Sequence, residues 1–144
     1  MLKDKIDSLL DLVQKPARYM GGEMNAVLKD PDAVAIRYAF AFPDVYEVGM
    51  SHLGSRILYD IINKREDALC ERVFMPWVDM ADLMRKEQVP LFSLETRSPV
   101  RGFDYLYSPC HAAPSAIFKH YQLCSGNPRL YQRHSGLASH SLGG

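Results

Sequence analysis

Residues 33–65 read AVAIRYAFAFPDVYEVGMSHLGSRILYDIINKR, and this stretch decides the fold. Val34, Ile36, Tyr38, Phe40 and Phe42 are apolar or β-favouring and predict a core strand over 34–42. Pro43 ends it, because proline brings no N–H to the ladder. A loop with Gly49 and Gly54 follows. Leu53, Ile57, Leu58, Ile61 and Ile62 then recur at helical spacing and predict a helix that buries this stripe, with Ser51 as N-cap. Arg56, Asp60, Asn63 and Lys64 are expected on the solvent side. Strand, loop and helix in this order open a nucleotide- or cofactor-binding α/β domain.

The next forty residues repeat the unit. CERVFM at 70–75 reads as a second strand stopped by Pro76, and 77–87 as a helix with Trp77, Met80, Leu83 and Met84 toward the core. VPLFSLE at 89–95 reads as a third strand, 96–102 as a loop, and 103–107 as the start of a fourth strand. Upstream, Leu2, Ile6, Leu9, Leu10 and Val13 predict an amphipathic helix over 2–13 that docks on its own domain. KPARYMGGE at 15–23 reads as a loop, 25–29 as a short extended piece, and Asp30-Pro31-Asp32 as a turn. The expected class is α/β: a partial Rossmann-like parallel sheet, β-α-β-α-β, after an N-terminal helix. Ligands of such sheets bind outside the carboxyl ends of the strands, here 43–52, 76–79 and 96–101.

Composition excludes several classes. Apolar residues make up 47% and charged residues 24%, with 17 basic residues against 17 acidic ones, so nothing favours nucleic acid. No apolar run approaches the ~20 residues of a membrane span, and MLKDKIDSLLDLV lacks a signal-peptide core, so a cytoplasmic protein is expected. Cys70, Cys110 and Cys124 match no zinc or cluster spacing and read as reduced thiols. The balance is uneven along the chain. All 17 acidic residues lie at or before Asp104, whereas 105–144 holds only Lys119, Arg129 and Arg133 as charges, with four of the five histidines.

No GxGxxG follows the first strand, and GxxxxGK[ST], GxSxG and CxxxCxxC are absent. The informative loop is Asp44-Val45-Tyr46-Glu47-Val48-Gly49. Its spacing resembles the D-x-H-x-x-G of cobalamin-binding domains, in which the histidine binds cobalt, but Tyr46 stands at the histidine position. A phenol with a pKa near ~10 is a poor cobalt ligand. His52 begins the following helix and reads as a local cap or a solvent-facing residue. Asp44 and Glu47 read as solvated loop acids near a helix N-terminus rather than as an acid–base pair. Arg72, Arg97 and Arg101 could gather at the strand ends as an anion site, or serve as ordinary surface charges. Gly21-Gly22 with Lys15 and Arg18 could cradle an anion, or simply connect.

Taken together, KPARYMGGE, FAFPDVYEVGMSHLG, ILYDIIN, LCERVFMPWVDM and PLFSLETRSP resemble the N-terminal region of B12-binding-domain-containing radical SAM proteins, a family of iron–sulfur oxidoreductases. The resemblance runs from about Lys15 to Asp104. It implies a cobalamin-type domain over 33–107 after an approach segment over 1–32. Cobalamin would be held by Asp44, Tyr46, Gly49, Ser51, His52 and Gly54 without histidine ligation. A 4Fe–4S cluster and SAM belong to the barrel of full-length relatives and are not expected in this chain.

The resemblance ends near Tyr105. Two readings of 108–144 follow: an out-of-frame, non-family tail expected to be disordered, or a genuine divergent one. The expected function is therefore a corrinoid-binding fragment of a radical SAM protein, inactive alone. The alternative is a structural or interaction domain with no small-molecule ligand. A stand-alone hydrolase or transferase has only scattered acids and His52 behind it.

Overall fold

The computed structural model describes residues 1–108, so the readings of the tail beyond Ser108 lie outside the described residues. Three strands form one parallel sheet in the order β2-β1-β3, where β1 is Ile36–Phe42, β2 Ala68–Phe74 and β3 Tyr105–Tyr107. Ile36 through Phe42 pair in register with Ala68 through Phe74, and Tyr38 through Phe40 pair with Tyr105 through Tyr107. Helices flank both faces: α1 (Leu2–Leu10), α2 (Ala17–Met20), α3 (Tyr46–Ser51), α4 (Leu53–Asn63) and α5 (Val78–Lys86). This is a partial Rossmann-like α/β fold.

One face carries the larger core. Ile6 and Leu9 of α1, Met80 and Met84 of α5, and Ala39, Ala41 and Val73 of the sheet are buried together with Val89, Leu91, Val100 and Leu106. The N-terminal helix thus docks on its own domain, as its stripe implies, although it ends at Leu10. On the other face Phe40, Phe42 and Cys70 pack against Tyr59 of α4.

Helix α4 departs from the expectation in part: Ile62 packs against the core and Arg56, Asp60 and Lys64 are exposed as expected, but the rest of the apolar stripe faces outward. Ser55, Tyr59 and Asn63 are its buried residues, whereas Leu53, Ile57, Leu58 and Ile61 are exposed. The cause is the surface α4 packs on. On this side β2 presents Arg72 and a free edge, and both require polar partners. The Tyr59 ring lies under the Arg72 guanidinium at 4.5 Å, and its hydroxyl accepts from Val27 N at 2.9 Å. Asn63 bonds the backbone of Cys70. Hydrogen bonding outweighs the hydrophobic stripe in setting the rotation of this helix.

The segment 89–95 is not a strand of the sheet. It folds back as an irregular hairpin along the outer side of β2, where Leu94 N donates to Arg72 O at 2.7 Å and a single bridge joins Phe92 to Pro99. Its polar residues explain the departure. Ser93 and Thr96 hydroxyls each donate to Glu71 Oε2 at 2.6 Å, and Glu95 meets Arg72. Consequently 96–101 is not a strand end, and the third strand is the one beginning at Tyr105. The outer edge of β2 is closed in sequence: Lys29 Nζ donates to Ala68 O at 2.7 Å, Asn63 covers Cys70, and Glu95 accepts from Arg72 N at 2.8 Å. No described helix is long and apolar enough to cross a membrane.

Candidate functional site

The carboxyl ends of β1 and β2 meet at 43–52 and 75–77. Pro43 ends β1, and Asp44 anchors the turn: its Oδ1 accepts from Val45 N at 2.7 Å and its carbonyl accepts from Met75 N at 3.0 Å. Six residues then form α3, so the expected open loop is helical.

The six candidate residues all have internal roles. Tyr46 donates its hydroxyl to Glu23 Oε1 at 3.0 Å and sets its ring edge-on to Phe74 at 5.6 Å. Burial, and then the Glu23 carboxylate, push its phenol further up from the ordinary value. Gly49 packs directly on Phe74: an added Cβ would lie 2.2 Å from that ring. Ser51 is the last residue of α3, not the cap of α4, and donates to Val48 O at 2.8 Å. His52 is the cap, as its local reading holds. Its Nδ1 accepts from Ser55 N at 3.1 Å, and its ring packs on Phe42 at 5.1 Å. Gly54 sits beside that ring, with its missing Cβ position 3.1 Å from His52 Cε1.

The segment 15–23 straps this edge. Arg18 Nε donates to Glu47 Oε1 at 2.8 Å, with Lys15 3.9 Å from the same oxygen. The Arg18 hydrogen bond holds the Glu47 carboxyl below the usual range. Arg18 also lies 5.2 Å over the Trp77 ring, and Tyr19 Oη accepts from Trp77 N at 3.0 Å. Glu23 reaches Tyr46 and, at 3.4 Å, Arg72. A left-handed Gly21 makes the turn possible, because its φ is +70° and a Cβ there would lie 2.7 Å from Leu94 O. The Gly-Gly pair is therefore a packing turn, and Arg18 serves Glu47.

Two charged groups on β2 are buried: Arg72, read from the sequence as an anion-site or surface charge, and Glu71, which the sequence reading did not single out. Arg72 Nε donates to Glu95 Oε1 at 2.6 Å, where burial raises the Glu95 pKa against the opposing pull of Arg72. Glu71, fully buried, accepts from Arg37 at 3.1 Å and from Ser93 and Thr96. Their signal was two adjacent charges inside a strand buried on both faces, which requires partners nearby. Arg97 bonds Asp7, so it and Arg72 do not join in an anion site. Asn25, Phe40, Met50, Ser55 and Arg56 line a shallow cleft over Arg72. Among the described residues no group of three or more His, Cys, Asp or Glu is placed to hold a metal ion.

The parallel order β2-β1-β3 and the strapped carboxyl edge define a partial Rossmann-like α/β domain. Residues 54–109 match the family model described as radical SAM proteins, N-terminal, which supports a radical SAM protein fragment. The match spans α4, β2, α5 and β3 and begins after Asp44, Tyr46, Gly49, Ser51 and His52. No curated protein and no solved structure matches the chain.

Proposed function

We propose that this chain is the N-terminal accessory domain of a radical SAM iron–sulfur protein, serving as a structural and interaction element rather than as a corrinoid holder. One observation carries the reading. The positions that would face a cobalamin are filled by the chain itself, with Phe74 against Gly49 and the 15–23 strap tied to Glu47, Trp77, Tyr46 and Arg72. A planar macrocycle needs backbone to stand clear of its lower face, and the Phe74 ring against Gly49 argues against that clearance. Asp44, Tyr46 and His52 are bonded within the loop and helix they belong to. The residues present do not fit the group.

The family match supports the radical SAM context, because the model it names describes an N-terminal region. In that context the domain positions a catalytic partner and carries no chemistry of its own. Affinity purification of the tagged chain, co-expressed with radical SAM barrel proteins, tests this. Recovery of a barrel protein with no corrinoid absorbance in the eluate is expected. Stoichiometric corrinoid in the eluate would overturn the reading in favour of a cofactor-binding domain.

A further inference from the structure

The outward face of α4 is apolar along its whole length. Leu53 is 66% exposed, Ile57 49%, Leu58 37% and Ile61 55%, with Val48 of α3 beside them at 45%. Contiguous apolar surface of this kind marks a contact site. We propose that this face pairs two copies of the chain through an antiparallel α4–α4 contact about a two-fold axis at Ile57.

The stripe is self-complementary. Leu53 and Ile61 lie four residues to either side of Ile57, so a two-fold axis sets Ile57 against Ile57 of the partner subunit and Leu53 against Ile61 of the partner subunit. The flanking charges obey the same symmetry. The Arg56 guanidinium has no ion-pair partner among the described residues, while Asp60 is 63% exposed and holds Lys64 at 2.7 Å. With a rise of 1.5 Å per residue, Arg56 and Asp60 of the partner subunit are offset by only about 3 Å along the axis. Both sit on one flank of α4, and like flanks face each other across such an axis. Two cross-pairs form for each dimer, adding register to the apolar contact.

Size sets the strength. An eleven-residue helix is about 16 Å long, too short to reach the ~800 Å² per partner of a stable interface. Pairing is therefore weak and concentration-dependent. Sedimentation equilibrium of the full 144-residue chain, from low micromolar to near-millimolar, tests it. A reversible monomer–dimer equilibrium is expected. Ile57→Asp abolishes it while leaving the circular dichroism spectrum unchanged, since that side chain is half-exposed. Arg56→Asp weakens it about tenfold, and Arg56→Asp with Asp60→Arg restores it. Single chains at every concentration overturn the proposal and leave the face to a different protein. So does association that exceeds two chains or ignores Ile57→Asp.

Discussion

Asn63 on α4 stands in for a neighbouring strand at Cys70 of β2: its Nδ2 donates to the Cys70 carbonyl at 3.0 Å and its Oδ1 accepts from the Cys70 N–H at 2.9 Å. One side chain thereby satisfies both outward backbone groups of a buried residue. Asn63→Leu leaves a buried donor and acceptor open, and a loss of about 2–4 kcal/mol is expected. Urea denaturation measures it. A change below about 0.5 kcal/mol, the size of a neutral surface substitution, would mean that the edge is closed by something else.

The second buried device is ionic. The Glu95 side chain is 1% exposed and depends on Arg72, whose own exposure is 7%. Arg72→Met strands that carboxylate and is expected to lower stability by about 3–5 kcal/mol. Arg72→Met with Glu95→Gln recovers much of the loss, because no buried charge is then left alone. Equal losses for the single and double variants would argue against coupling of the pair.

Gly49 tests the packing that fills the candidate site. Its missing Cβ position lies 2.2 Å from Phe74 Cε1 and 3.2 Å from Phe42 Cδ1. Gly49→Ala is expected to destabilise the fold by about 1–3 kcal/mol through overpacking. Phe74→Leu in the same chain makes room and offsets part of that. If Gly49→Ala is neutral or stabilising, the ring does not rest on the glycine.

Cys70 gives a pH dependence. Burial, and secondarily the nearby Glu95 charge, push its thiol from 9.0 up to about 12. A folded-state pKa raised above the unfolded one adds stability that is complete below the unfolded value and fades as pH rises toward the folded one. Stability should therefore fall between about pH 9 and 12, more steeply than in Cys70→Ala. In a Cys110→Ser/Cys124→Ser background, Cys70 should also resist a thiol reagent at neutral pH until the chain is denatured. Rapid native labelling would contradict this burial.

The β-α-β order was legible because Pro43 and Pro76 punctuate apolar runs at the spacing of a parallel sheet. Ile6, Leu9, Met80 and Met84 reach the core that their periodicity assigns them. The rotation of α4 was not legible, because the four apolar residues Leu53, Ile57, Leu58 and Ile61 outnumber Ser55, Tyr59 and Asn63, which prove to face inward. What settles the matter is the need of Arg72 and of the Cys70 edge, two features on another element. For the same reason 89–95 reads as a strand by composition yet serves Glu71 and Arg72. At the candidate site the cap role of His52 was local and readable. The strap over Tyr46 and Glu47 was not, since it joins residues more than twenty positions apart.

The proposed function turns on whether the carboxyl edge is closed to a macrocycle. Titration of the full chain with hydroxocobalamin, followed by difference absorbance and by retention through a desalting column, tests this most directly. No spectral shift and no retention are expected for the unmodified chain. A saturable shift with one corrinoid retained per chain would contradict the proposed function.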